Sequence, residues 1–394
     1  MNSKNSSEND LSLIDHSLIN LKNHIESKNY KGWDPYDCLR SPLFKLPILK
    51  SSKYFRFLSQ QFLKRFPFNL RKFLFIDESL NPVTLGLSLQ AYSQLYEIDK
   101  TNRDQYLKKI EDIILKLEKL IPKGYAGACW GYDFDWEARY MKVPAYQPTI
   151  VATGIISNAL YIAFKATKIQ RSSDLVISAS NFVKTNLYRT IDENGICLSY
   201  SPFDKEKVFN ASMKGARLLA QTFDLNNDKS SLKLSRDIIK YVMRHQNTNG
   251  SWSYSLSKSG GWIDNYHTGY ILDCLDEYQS CTKDCDYKKQ LEKGVSFYKE
   301  NFVTKDFIPK FYNYDTYPVD CTSAAQFILS MKRFGHEEIA QKVANWMILN
   351  MMKEDGSFKF RKFKYYSIDT SYMRWSNAWM FAALSFLKKN KNQN

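Results

Sequence analysis

From about residue 82 to the C-terminus, helical patterns of two kinds alternate, and that alternation leaves few folds open to the chain. One kind is apolar nearly all round and rich in small residues. It reads "PVTLGLSLQAYSQLY" from Pro82, "YQPTIVATGIISNALYIAFKA" from Tyr146, "KVFNASMKGARLLAQTF" from Lys207, "DNYHTGYILDCLDEY" from Asp264, "VDCTSAAQFILSMKRF" from Val319 and "TSYMRWSNAWMFAALSFLKK" from Thr370. A helix without a polar face must be buried on several sides. The other kind is amphipathic, with apolar residues at i, i+3, i+4 and i+7 beside charged positions. It covers residues 103–121, 172–187, 228–245, 286–302 and 337–352. The starts of the apolar stretches lie roughly 50 to 65 residues apart, the period of a long helical hairpin plus a loop.

Six buried helices covered by amphipathic ones predict an all-α (α/α)6 toroid, in which six helical hairpins form an inner and an outer ring. An open helical solenoid is the alternative that the same pattern allows. The sixth outer helix is expected from "KYFRFLSQQFLKRFPFNL" (53–70), which would close the ring. The toroid is therefore expected over residues 53–394. Residues 1–52 are expected to form an N-terminal extension, with one helix at about 11–28 and a loop around "GWDPYD".

Composition narrows the function classes. Hydrophobic residues make up 44% of the 394, enough for a full core, and no apolar run is expected to reach the roughly 18 residues of a membrane span. The N-terminus is polar and then amphipathic, without the apolar core of a secretory signal, so a cytoplasmic protein is expected. Seven scattered cysteines argue against a disulfide framework, and Cys281 and Cys285 lack a second pair for zinc. No metal and no cofactor is expected. The net charge of +15 would attract polyanions, yet lysines are spread along the whole chain. The densest basic–aromatic cluster, "KFRKFKYY" (359–366), suits an anionic sugar as well as a nucleic-acid strand. It belongs to no nucleic-acid module, so no nucleic-acid partner is expected.

Three hairpins carry a similar loop after the outer helix: "DENGICLSY" (192–200), "QNTNGSWSYS" (246–255) and "KEDGSFKF" (353–360). Asn-Gly or Asp-Gly before alternating aromatics signals a tight turn with short extended arms. Trp252 and Phe358 would then plug gaps between hairpins. The longer connections into the inner helices hold aromatics and acids together. They are "CWGYDFDWEARY" (129–140), "SYSPFDKEKVFN" (199–210), "GGWIDNYHTGY" (260–270), "FYNYDTYPVDCT" (311–322) and "YYSIDTSYMRW" (365–375).

In a closed ring all five connections meet at one cavity mouth. Aromatic faces stack on the C–H faces of sugars, and carboxylates, amides and imidazoles bind hydroxyls. Paired carboxylates can act as acid and base on a glycosidic bond. The candidate catalytic residues are Asp133, Asp135, Asp264, His267 and Asp320. The candidate substrate-binding residues are Trp136, Asn210, Trp262, Tyr266, Tyr314, Arg374 and Trp375. Each has a plainer reading. Asp264, Asp320 and Asn210 stand where helix caps belong, His267 could be a core hydrogen-bonding group, Asp133 and Asp135 could sit in a solvated loop, and Arg374 could form a salt bridge within the ring.

The pattern resembles the six-hairpin glycosidase-like toroids. "GGWIDNYHTGYILDCLDEY" together with "TYPVDCTSAAQ" is similar to toroid proteins of bacterial surface-polysaccharide biosynthesis loci, over roughly residues 80 to 390. In that group Asp264, His267 and Asp320 match the recurring pattern. "QNTNGSW" also resembles the Gln-x3-Gly-x-Trp repeat of triterpene cyclases. The matching catalytic stretch here, "PVDCTSAA", lacks two of the acids of their Asp-x-Asp-Asp motif.

The resemblance and the residues together imply a carbohydrate-active protein of surface-polysaccharide biosynthesis or remodelling. Its expected partner is an oligosaccharide or polysaccharide, and glycoside hydrolysis is the leading chemistry. A lyase or C5-epimerase acting on uronic acids is the alternative. There Asn210, His267 and Arg374 would hold the substrate carboxylate and a tyrosine such as Tyr266 would move the proton. A toroid that only binds glycan, or a terpene cyclase-like one, completes the set.

Overall fold

A computed structural model describes residues 2–137, 142–193, 195–257 and 259–388. In chain order the helices are α1 (Asn2–Ser27), α2 (Pro47–Ser51), α3 (Lys53–Arg65), α4 (Pro82–Ile98), α5 (Arg103–Lys119), α6 (Ile150–Thr167), α7 (Gln170–Asn186), α8 (Phe209–Asn226), α9 (Lys229–Arg244), α10 (Asn265–Thr282), α11 (Lys288–Asn301), α12 (Cys321–Arg333), α13 (Glu337–Met351) and α14 (Trp379–Lys388). Helices α4, α6, α8, α10, α12 and α14 each touch the next, and α14 returns to α4, so the inner ring is closed. Helices α5, α7, α9, α11 and α13 lie outside it, each against its inner partner. The fold is the expected (α/α)6 toroid.

Local chemistry sets these boundaries. Asn81 caps α4 ahead of Pro82, accepting from Val83 N at 3.0 Å, and Thr149 caps α6, accepting from Ala152 N at 3.1 Å. Helices α6, α8 and α10 all end on a left-handed residue: Lys168, Asn227 and Lys283. The inner helices approach closely where they carry glycine. A Cβ on Gly86 would stand 2.9 Å from Ile156 Cγ1, and one on Gly154 would stand 2.8 Å from Lys214 Cβ. Helix α6 is long and apolar enough to cross a membrane, which the sequence reading did not anticipate. Here 72% of it is buried inside the ring, between α4 and α8 and under α7.

The sixth outer position corrects an expectation. It is filled by α1 and not by residues 53–70. Ile14, Leu18, Leu21 and Ile25, spaced along one face of α1, are all buried in the main core. The helix packs on α14 and α13, and its Glu26 reaches Lys109 of α5 at 3.3 Å and accepts from Tyr92 Oη of α4 at 2.7 Å. The toroid therefore begins well before residue 53. Helix α3 lies over the mouth of the ring, where Arg56 Nε meets Glu137 at 2.7 Å and the Gln60 side chain exchanges two 3.0 Å bonds with the Glu137 backbone.

Short antiparallel strands occupy the connections. They are β1 (Lys31–Gly32) with β2 (Ser79–Leu80), β3 (Trp136–Glu137) with β4 (Lys142–Val143), β5 (Arg189–Asp192) with β6 (Gly195–Leu198), and β7 (Val319–Asp320) with β8 (Arg361–Lys362), which also pairs β9 (Ser367–Ile368). The β5–β6 pairing sets Asp192 opposite Gly195, and a bridge joins Met352 to Phe358. Gly195, Gly250 and Gly356 all take positive φ in the three repeated loops. Trp252 is buried as a plug, donating to Val242 O at 3.0 Å and packing over Gly294, and Phe358 is fully buried.

Candidate active site

All five long connections reach one cavity of about 610 Å³ at a single end of the ring, within the size range of small-ligand sites. Tyr132 and Trp136 enter from the first connection, Tyr200 and Glu206 from the second and Trp262 from the third. Tyr312 comes from the fourth, and Arg374 and Trp375 from the fifth. The floor is made by the first two turns of inner helices, including Ile155, Asn210, His267 and Tyr270. Helix α3 adds Phe57, Gln61, Lys64 and Arg65 along one wall, and the loop before it adds Tyr36.

The first turn of α10 holds the tightest polar cluster facing this space. Asp264 caps the helix, its Oδ1 accepting from His267 N at 3.0 Å. Its Oδ2 accepts from Trp262 Nε1 at 3.0 Å and lies 2.7 Å from His267 Nδ1. A carboxylate only accepts, so Nδ1 carries a proton and donates it, and in the neutral imidazole Nε2 keeps the lone pair. Capping and orientation of the histidine are thus one arrangement. Rings enclose it: Tyr266 and Tyr254 have centroids 4.1 and 4.6 Å from the imidazole, and Tyr254 stacks on Trp262 at 4.5 Å. Burial holds the Tyr254, Tyr266 and Tyr270 phenols above their ordinary range, with the Asp264 charge raising each further, so all three stay protonated donors.

A second cluster sits across the cavity. Asp320 caps α12, accepting from Ser323 N at 3.1 Å, and it meets Arg361 Nε at 2.6 Å. Trp375 Nε1 lies 3.3 Å from both of its oxygens. Arg361 and Trp375 line the cavity and Asp320 stands behind them. A π-helical turn over Met373–Ala378, ahead of α14, aims Arg374 and Trp375. Arg374 grips Asp34 with two bonds of 2.6 and 2.8 Å. The plainer reading of Arg374, a salt bridge, therefore describes its guanidinium, although its partner comes from the N-terminal segment. Lys64 Nζ donates to Tyr36 Oη and lies 4.0 Å from that ring's centroid. Burial, then the nearby Arg361 charge, lowers the Lys64 amine well below its ordinary value.

Asn210 lines the floor without capping anything. Val208 takes the cap position of α8, and Asn210 Oδ1 is buried with no hydrogen-bond partner. That oxygen is an acceptor free for a ligand hydroxyl. Trp136 lies on the wall, its ring 6.1 Å from that of Tyr200. Glu206 also lines the cavity, its carboxyl raised by burial and then by Asp204.

Three expected site residues lie elsewhere. Asp133 is buried under the mouth, bonded to Ser79 and Asn81 and 3.3 Å from Arg40, and so ties the loop to the start of α4. Burial raises its carboxyl first, and the charged neighbour that adds to the rise is Asp34, not Asp135. Asp135 closes its own loop, accepting from Ala145 N at 2.9 Å and pairing with Lys142 at 2.6 Å. The two carboxylates part because the chain bends at Asp133 and Phe134 and becomes an extended strand only from Trp136. Tyr314 is 68% exposed and stacks outside the cavity on Tyr312, at 5.4 Å between centroids. Of the first connection, Ala138 to Tyr140 fall outside the described residues.

Sequence reasoning missed Lys64, Arg361, Tyr36, Tyr254 and Glu206. Arg361 lies in "KFRKFKYY", where the Phe360–Arg361–Lys362 alternation marks a strand that sends one basic residue inward.

No protein-family profile matches this chain, and neither does any curated protein sequence. Solved structures match at the level of fold. A cellobiose 2-epimerase from Bacillus thermoamylovorans is 12% identical with a TM-score of 0.60, covering 79% of this chain and 88% of that one. An α-mannanase of glycoside hydrolase family 76 from Bacteroides thetaiotaomicron is 13% identical with a TM-score of 0.56, covering 79% and 86%. An unsaturated glucuronyl hydrolase specific for heparin is 13% identical with a TM-score of 0.56, covering 79% and 87%. These are six-hairpin glycosidase-like toroids, and the chain shares their architecture.

Proposed function

We propose that this chain is a carbohydrate-active enzyme that moves a proton on a sugar bound in the aromatic bowl. The carrying observation is the Asp264–His267 pair, with the imidazole oriented by a 2.7 Å bond and set among ring faces. In this reading Asp264 fixes the tautomer and stabilises the imidazolium that forms, and His267 Nε2 takes the proton. Tyr254 and Tyr266, held protonated, donate to the oxygen that gains charge. Asn210 Oδ1 accepts a sugar hydroxyl, and Trp136, Trp262 and Trp375 offer stacking faces.

The chemistry follows from which groups are free. Abstraction of a proton beside a carbonyl or carboxyl, as in epimerisation, isomerisation or β-elimination, needs one oriented base and nearby donors, and this site has both. The names of the fold neighbours include sugar epimerases and a D-mannose isomerase. Glycoside hydrolysis is the second reading and rests on Glu206, whose raised carboxyl in the cavity wall suits a general acid. In that reading Glu206, and not Asp133 or Asp135, is the general acid. Asp320 is clamped by Arg361 and Trp375, which leaves it as the residue that positions them. An anionic sugar would find Arg65 on the α3 wall. A surface polysaccharide as the ultimate product or substrate is the context that the sequence resemblance implies.

Asp264→Asn and His267→Asn test this reading on a panel of neutral and uronate-containing oligosaccharides. Asparagine still caps a helix, so the fold is kept. Turnover should fall by about 10² to 10⁴ in each. Wild-type turnover in both would remove the pair from the chemistry.

A further inference from the structure

We propose that the face carrying α3 docks on an anionic lipid bilayer, which would bring the mouth of the cavity to a membrane surface. The inference stands apart from the sugar reading and needs no turnover to test. Residues 38–76 contain nine lysines and arginines, nine aromatic residues and no aspartate or glutamate, and three of the nine cations, Arg40, Arg56 and Arg71, pair with Asp133, Glu137 and Asp37 from outside the segment. A soluble face of this length ordinarily mixes both signs of charge.

The structure puts the apolar side chains outside. Tyr54, Phe55, Leu58, Phe62, Phe68 and Phe73 are 81, 46, 64, 58, 71 and 78% exposed. Phe55, Leu58 and Phe62 recur at i, i+3 and i+7, so they form one stripe along α3. The stripe continues at both ends: the Phe44 and Phe55 rings are 6.3 Å apart, Phe62 and Phe66 are 5.0 Å apart, and Phe66 and Phe68 are 6.1 Å apart. The opposite side of α3 is already occupied, with Gln60 and Leu63 buried and Arg56 paired to Glu137. The exposed stripe is therefore not needed for folding. Lys45, Lys50, Arg65 and Lys72 are exposed around it.

Contiguous exposed apolar surface of this kind marks an interaction site. Aromatic and leucine side chains set among basic residues without acids fit the boundary between headgroups and acyl chains of an anionic membrane. A second copy of the same face would bring like charges together, which disfavours it as the occupant.

Flotation of the full-length protein with phosphatidylglycerol–phosphatidylcholine vesicles, against pure phosphatidylcholine vesicles, tests the proposal. Wild type should float with the anionic vesicles, and raised salt should release it. Leu58→Ser with Phe62→Ser should abolish flotation without changing the melting temperature, since both side chains are exposed and stand outside the core. Lys45→Ala and Lys50→Ala should each weaken partitioning about fivefold. The proposal is overturned if wild type stays unbound at low salt or if both sets of variants float like wild type. It is also overturned if light scattering shows a dimer that the Leu58→Ser, Phe62→Ser variant dissolves while vesicles are ignored.

Discussion

His267 can carry the proposed chemistry because of where Asp264 sits. One carboxylate caps α10, accepts from Trp262 and fixes the imidazole, so the choice between a cap and a catalytic group was never exclusive. The sequence shows both roles at once in "WIDNYH", since an N-cap aspartate three residues before a histidine places the two side chains on one turn. Asp133 and Asp135 do not share a side of the chain, for a physical reason. Alternation along an extended strand fixes sides only while the strand lasts, and here the strand begins at Trp136. Lys214 of α8 is a different case, buried against the Tyr270 ring at 3.5 Å, with burial lowering its amine to about 7. In the unfolded chain it titrates near 10.5. Between pH 7 and 10 the unfolded state then binds more protons than the folded one, so this residue makes stability rise with pH over that window. Lys214→Met should raise the melting temperature at pH 6 and flatten its rise from pH 7 to 10. A melting temperature that is unchanged at both ends would show the amine to be solvated.

At the scale of elements, the alternation of apolar and amphipathic helices was fully legible, because burial on all sides and burial on one side leave different periodicities. The identity of the sixth outer helix was not. Residues 53–65 and the N-terminal stretch are both amphipathic, and only packing reveals that α1 meets the core while α3 keeps its apolar stripe outside. Leu21→Ala should therefore cost about 2–5 kcal/mol in chemical denaturation. Leu58→Ala should stay within about 0.5 kcal/mol. The reverse order would restore α3 to the ring. The repeated loops show how hairpins are joined, with a positive-φ glycine followed two residues later by a buried side chain, Cys197, Trp252 or Phe358. Trp252→Ala empties the gap over Gly294 and removes the indole's bond to Val242 O, and it should cost about 3–5 kcal/mol by the same measurement. A cost below 1 kcal/mol would mean that the neighbouring hairpins close over the gap.

The whole molecule is a closed ring because its ends are tied together. Helix α1 seals α14 against α4 and α5, and Asp34 holds Arg374 across 340 residues of chain. The same closure gathers the five connections at one end, so the site is a consequence of topology more than of any motif. That is why sequence reasoning found the bowl and most of its aromatic wall but missed Lys64, Arg361 and Tyr36. Lys64 and Tyr36 reach it from the N-terminal segment, and Arg361 reaches it from β8, the middle strand of the β7–β8–β9 sheet.

The central claim is that His267, aimed by Asp264, moves a proton on a sugar in that bowl. Incubating wild type and His267→Asn with reducing disaccharides and uronate oligosaccharides in D2O, and reading the recovered sugars by NMR and mass spectrometry, tests it most directly. Wild type should place deuterium at a carbon beside a carbonyl or carboxyl of at least one sugar, and His267→Asn should lose that exchange. Equal exchange by the two proteins, or hydrolysis products with no carbon-bound deuterium, would contradict it.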